Sequence, residues 1–103
     1  MKERLEIIEE RYNFLENELL KPEVYNDYKK MQVVSKEKNS IEKIVETNRR
    51  YNQIDEDIDA AKEMMKDPDM RDFAEEELEN LHKEKEELEN KLKRMLWKNY
   101  LFH

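Results

Sequence analysis

Apolar residues return every three or four positions along most of this chain, regularly enough to predict helices before anything else is considered. Ile41, Ile44, Tyr51, Ile54, Ile58, Ala61 and Met65 form one series, with Asn48 in line. Met70, Ala74, Leu78, Leu81, Leu88, Leu92 and Met95 form another, with Lys85 in line. Each is a single helix face. Asp67-Pro68 stands between them. If the chain folds back there, position i faces 135 or 136 minus i, which sets Met65 against Met70, Ala61 against Ala74, Ile58 against Leu78, Ile54 against Leu81, Ile44 against Leu92 and Ile41 against Met95. Two stripes that keep register over this length predict an antiparallel helical hairpin.

A third stripe precedes them. Leu5, Ile8, Tyr12, Leu15 and Leu19 repeat at threes and fours, and Lys21-Pro22-Glu23 ends the run, because proline lacks an amide proton and disfavours helical geometry in the residue before it. Asn26 or Asp27 is placed to cap the next helix. The prediction is all-α, with three helices at about 3–20, 27–66 and 68–96 in coiled-coil-like packing, and Pro68 at the first position of the last. Ser35 to Ser40, where polar residues replace apolar ones, is the expected place for a kink or fraying in the long helix. A fold-back about Pro22 pairs positions summing to about 46, so Leu15 should meet Met31, Tyr12 meet Val34, and Leu5 meet Ile41. The expected shape is an elongated rod of two overlapping hairpins. Ile7, Phe14, Val33, Val45 and Phe73 are left over from the seams and are candidates to face a partner.

Composition narrows the function more than the fold. Of 103 residues, 46% are charged and 37% hydrophobic, which suits thin helical assemblies and not a thick core. No glycine is present, which removes phosphate-cradling loops, and no cysteine, which removes disulfides, thiolate nucleophiles and thiolate metal sites. A net charge of −7 opposes a broad footprint on nucleic acid and points to a protein partner. Apolar runs are too short to span a membrane, and the charged start at Met1-Lys2-Glu3-Arg4 is unlike a signal peptide, so the cytoplasm is the expected address.

Candidate chemistry is thin. Glu75-Glu76-Glu77 and the Glu84 to Glu89 region alternate with Lys83, Lys85, Lys91 and Lys93, the pattern of a solvated helix face with i,i+4 ion pairs. Glu79 and His82 have the offset of a di-metal bundle motif, but the second copy is missing, so His82 reads as a surface residue. Ser35, Ser40 and Thr47 are the only hydroxyls of their type and His82 and His103 the only histidines, too few for a hydrolase triad. No catalytic residue, cofactor or metal is expected. Asn48 and Lys85 are polar intrusions that either set register, the more common role, or mark a place where the seam opens to water, the lysine laying its stem along the seam. Trp97, Tyr100, Leu101 and Phe102 form an aromatic tail unlike the rest, read as folding back or as an aberrant terminus.

A family resemblance rests on ordered short segments. Glu10-Arg11-Tyr12 with Leu15, Pro22-Glu23-Val24, Ser35-Lys36-Glu37, Ile44-Val45, Asp57-Ile58 with Ala60, Asp67-Pro68-Asp69-Met70-Arg71 and Ala74-Glu75-Glu76-Glu77-Leu78 together resemble the amino-terminal domain of bacterial peptide chain release factor 1. The resemblance runs from about Leu5 to Leu96 and implies a helical, non-catalytic domain of a translation termination factor that meets the ribosome toward the stalk base. Residues 97–103 depart from the family pattern. The family's hydrolytic Gly-Gly-Gln loop and its Pro-x-Thr codon-reading tripeptide are both outside this chain, which reads as a fragment or truncated product without peptidyl-tRNA hydrolysis. The alternative is a generic helical interaction or homodimerisation module.

Overall fold

The structure, a computed structural model, describes residues 1–102, the side chains of residues 100–102 excepted. It is all-helical among the described residues, in the order α1 (Lys2–Glu18), α2 (Pro22–Tyr25), α3 (Tyr28–Met64) and α4 (Arg71–Phe102). The chain divides into two compact units, residues 1–46 and 47–103, with the division inside α3. No helix among the described residues is long and apolar enough to cross a membrane.

In the first unit, α1 buries the predicted stripe of Leu5, Ile8, Tyr12 and Leu15. Its last regular bond runs from the amide of Leu19 to the carbonyl of Leu15, and the end then tightens through i→i−3 bonds from Leu20 and Lys21 to the carbonyls of Asn17 and Glu18. Lys21 is extended, at φ −84° and ψ 131°, as a residue before proline prefers. Pro22 ends the first helix as predicted, but it also starts a one-turn helix, α2, in place of the plain loop expected there. Proline suits that first position because the amide it lacks would have no helical acceptor. Val24 of α2 is buried and pins the turn inward. The Asp27 carboxylate then accepts a bond from the amide of Lys30 at 3.2 Å, so Asp27, one of the two candidates, caps α3.

The residues spent on α2 move the register of this hairpin. Arg11 reaches Glu37, where the expected pairing gave Ser35, and Tyr12 meets Lys38 and Glu42 instead of Val34. The fold-back is centred a few residues later than Pro22. Ser35 to Ser40 carries no break: α3 is continuous for 37 residues, about 55 Å at 1.5 Å per residue. Ser40 Oγ donates to the carbonyl of Glu37 at 2.6 Å and is satisfied within the helix.

In the second unit the predicted seam forms. Ile54, Ile58 and Ala61 of α3 pack with Leu81 of α4, and Leu78 and Leu88 close the same cluster. Ala61 and Ala74, the small residues near the turn, are both buried. Burying each Leu or Ile here contributes about 1.5 to 3 kcal/mol before entropy is counted. Asp67 organises the turn: its side chain accepts from the amide of Asp69 at 2.9 Å and its carbonyl from Met70 at 3.0 Å. Pro68 is therefore the second residue of a β-turn and not the first of a helix, since α4 begins at Arg71. Both positions ask for the same fixed φ and a missing amide, which is why the two are hard to tell apart in sequence. At its other end α4 runs past Leu96 to Phe102. Trp97 lies on that continuous helix with 62% of its surface exposed, while the side chains of Tyr100, Leu101 and Phe102, and His103 as a whole, lie outside the described residues.

Candidate interaction surfaces

The leftover apolar positions divide cleanly. Ile7, Phe14, Val33 and Phe73 are 64, 50, 69 and 53% exposed, whereas Val45 is 1% exposed and is unavailable to any partner. Val45 follows Ile44 directly and both are buried, as is Thr47, so α3 is enclosed on a wider arc in this stretch than a single stripe implies. The signal for this was present in the doubled Ile44-Val45.

In the first unit, Ile7 and Phe14 lie two turns apart on the outer side of α1, with Arg11 between them. The Arg11 guanidinium sits 5.1 Å from the Phe14 ring centre and also holds Glu37, its Nη2 donating to Oε1 at 2.7 Å. Phe14 is thus exposed but held. Tyr12 donates its hydroxyl to Glu42 Oε1 at 3.1 Å, and Lys38 covers its ring at 5.3 Å. Burial first, and the Glu42 carboxylate second, push the Tyr12 phenol above its usual range. Val33 borders an open groove of about 500 Å³ floored by Val24 and Val34 and rimmed by Glu18, Glu23, Lys29 and Lys30. A second groove of about 460 Å³ runs along Tyr28, Met31, Gln32 and Ser35.

In the second unit the chief polar feature is an ion-pair set that sequence reasoning missed. Arg50 of α3 donates from Nε and Nη2 to the two oxygens of Glu84 on α4, both at 2.8 Å, and from Nη1 to Asp57 at 3.2 Å. This is a two-pronged bond, matched in plane to the carboxylate. The Arg50 hydrogen bond holds the Glu84 carboxyl below its ordinary range, and Glu84 in turn raises the guanidinium. One residue further along α4, Lys85 donates to Asp55 at 2.6 Å and lies 5.9 Å from the Tyr51 ring centre. The Asp55 bond raises the Lys85 ammonium. Position 50 faces 85 or 86 in the predicted register, so opposite charges flanking facing seam positions were the available signal. Asn48 is buried and Lys85 half-buried, the places expected of polar intrusions.

These side chains make contacts and give no sign of a reaction centre. Among the described residues no three His, Cys, Asp or Glu side chains converge as a metal site, and His82 is exposed. What the structure offers is surface: an aromatic and aliphatic face on α1, grooves beside α2 and α3, and a charged hairpin.

Known proteins agree on one family. Residues 8–100 match the PCRF domain, so the match continues past Leu96 onto the last turns of α4. Peptide chain release factor 1 of Geobacillus sp. (strain WCH70) is 44% identical over 99 residues, covering 93% of this chain and 28% of that protein. The corresponding factors of Listeria welshimeri serovar 6b and Oceanobacillus iheyensis are 41% and 40% identical over the same shares. No solved structure matches the chain. The chain thus spans 28% of the length of these relatives. With nearly all of its length matched, this chain belongs to the PCRF domain family of peptide chain release factors.

Proposed function

We propose that the chain serves translation termination as a non-catalytic helical domain, in the cytoplasm, contributing to the contact between a release factor and the ribosome near the stalk base. The observation that carries this reading is the continuous match of residues 8–100 to the PCRF domain. The chemistry agrees with a binding role. Without glycine the chain holds no Gly-Gly-Gln loop, so hydrolysis of peptidyl-tRNA belongs to other parts of a release factor. Ile7, Phe14, Val33 and Phe73 supply exposed apolar contact area on a helical scaffold, the raw material of an interface.

Competition tests this reading. The folded chain is titrated against a labelled full-length release factor 1 on termination-arrested bacterial ribosomes, and it is expected to displace the factor in a saturable way while releasing no peptide by itself. Absence of displacement at concentrations where the chain is helical by circular dichroism would remove the ribosomal role. The alternative, a self-associating helical module, is favoured by the exposed Ile7, Phe14 and Val33 within one unit. Sedimentation equilibrium separates the two: a stable homodimer at micromolar concentration supports self-association, and a monomer supports the ribosomal reading.

A further inference from the structure

Charge changes sign along α4. From Arg71 to Glu89 the helix holds nine carboxylates against three cations, Arg71, Lys83 and Lys85, and continues an acidic hairpin tip that includes Asp67 and Asp69 in the turn. Residues 90–103 hold no carboxylate, the longest such stretch in the sequence. Lys91, Lys93, Arg94 and Lys98 bring four positive charges there.

Two ordinary explanations cover only part of this. A helix dipole favours acid early and base late, but the effect is confined to the first and last turns. Because α4 runs to Phe102, Lys91, Lys93 and Arg94 stand two or more turns before its end. Pairing within the helix accounts for Lys93, whose Nζ reaches Glu89 Oε1 at 3.7 Å, four residues back. Arg94 has Asn90 and Lys91 one turn before it and Trp97 and Lys98 one turn after it. No carboxylate therefore lies within a turn of Arg94 or Lys98 along α4. Two cations at this i,i+4 spacing repel each other, and an anion bound across them relieves the repulsion.

The helix sets these groups on one face. At 3.6 residues per turn Lys91, Arg94, Trp97 and Lys98 fall within an arc of about 120°. Arg94, Trp97 and Lys98 are exposed and Lys91 is half-buried. Leu92 and Leu96, on the other side, are buried in the core. An exposed indole thus stands among three cations, with the Arg94 guanidinium one turn away.

We propose that this face of α4 binds RNA, with Lys91, Arg94 and Lys98 neutralising phosphates and the Trp97 indole stacking on an unpaired base. A loop or single strand fits best, since only there does a base offer its flat face. A lipid surface fits poorly: it takes a wide apolar face, and Leu92 and Leu96 are already spent on the core. An acidic protein matches the cations but gives the indole no specific role. The net charge of −7 opposes a broad footprint on RNA and permits this narrow one. Glu79, in the acidic first part of α4, is about 18 Å along the axis from Lys91, and exposed charges are screened over about 8 Å at physiological salt. The inference rests on the ribosomal reading above for its setting and adds the face and the chemistry of one contact.

The test is filter retention of labelled, deproteinised bacterial ribosomal RNA by the intact chain. Trp97 is the only tryptophan, so quenching of its emission reports this face directly. The parent is expected to bind saturably with its emission quenched, and log affinity should fall against log salt with a slope of about −2 for three phosphate contacts. Arg94→Gln with Lys98→Gln should weaken binding about twentyfold at roughly 0.1 M salt and flatten the slope to about −0.7. Trp97→Leu should weaken it about tenfold without changing the slope, and Trp97→Phe should recover most of the loss. The same change of charge on α3, Lys29→Gln with Lys30→Gln, should stay within about twofold of the parent. Helicity and thermal midpoint are checked for every variant, so a loss of fold is seen as such. No binding by the parent, or equal binding by the Arg94 and Lys98 variant, overturns the inference and leaves the ribosomal reading to its own competition test. Displacement of the RNA by polyglutamate at equal anionic charge overturns it in favour of an acidic protein, and displacement by phosphatidylserine vesicles overturns it in favour of lipid. A chain that binds RNA as described but does not compete on ribosomes keeps this face and loses the ribosomal setting.

Discussion

Arg50 addresses two helices at once. Its fork takes both oxygens of Glu84 on α4 while its third nitrogen reaches Asp57, two turns along its own helix. The group is half exposed, so water and salt screen it, and its value is modest: Glu84→Gln should cost about 0.5 to 1 kcal/mol in urea unfolding. The sign of its pH dependence follows from the lowered Glu84 carboxyl. Above the ordinary carboxylate value of about 4.3, both folded and unfolded chains are ionised there and the contribution is fully present. As the pH falls through that value, the unfolded chain takes up a proton that the folded chain still refuses, and the contribution is lost by the time Glu84 itself titrates. The stability gap between the parent and Glu84→Gln should thus be constant near neutrality and close as the pH falls below 4. At this scale the sequence was only partly legible. The apolar seam residues were readable because 3.6-residue periodicity leaves few alternatives, and Ile54, Ile58, Leu78 and Leu81 meet as their spacing required. Val45 was misassigned, because periodicity measures one arc of a helix and cannot report that a wider arc is covered.

The elements depend on their ends. Asp27 is a cap with its oxygen aimed at the Lys30 amide, and it starts the longest helix in the chain. Asp27→Ala should cost about 1 kcal/mol, with Asp27→Ser retaining most of that, measured by thermal unfolding followed at 222 nm. The two prolines show how far sequence reasoning reaches. Each marks a helix boundary, but one opens a short helix and the other occupies a β-turn, and those outcomes depend on what packs nearby: Val24 is drawn into the interior and creates α2, while Asp67 bonds Asp69 and Met70 and delays α4 to Arg71. The expected helix at 68–96 became Arg71–Phe102 for that reason at one end. At the other end nothing in the composition around Trp97 breaks a helix; its aromatic character set it apart by eye and not by backbone preference.

For the whole chain, the distribution of charge carries more meaning than its total. A net −7 read as a bulk property says only that nucleic acid is a poor partner; placed on the structure, it becomes an acidic hairpin tip carrying Met70 and Phe73. The predicted fold-back at Asp67-Pro68 already placed these carboxylates at one end; the structure adds the exposure of Met70 and Phe73 beside them. Family membership was the most legible feature of all, because ordered motifs survive where no single residue is diagnostic, and the match over residues 8–100 reaches further than those motifs did.

The turns have a consequence for how quickly the chain reaches this structure. No described residue takes a positive φ, so every connection is made from the commonest backbone conformations. Among the ion pairs that join separate helices, Arg11 to Glu37, Arg50 to Glu84 and Lys85 to Asp55 span 26 to 34 residues. Most backbone bonds are made inside helices, which keeps the mean contact order low, and the main refolding phase from urea is expected in the microsecond to millisecond range, followed by rapid-mixing fluorescence of Trp97. A chain that folds on this scale packs its helices within the time taken to add a single residue during synthesis, about 0.05 to 0.2 s.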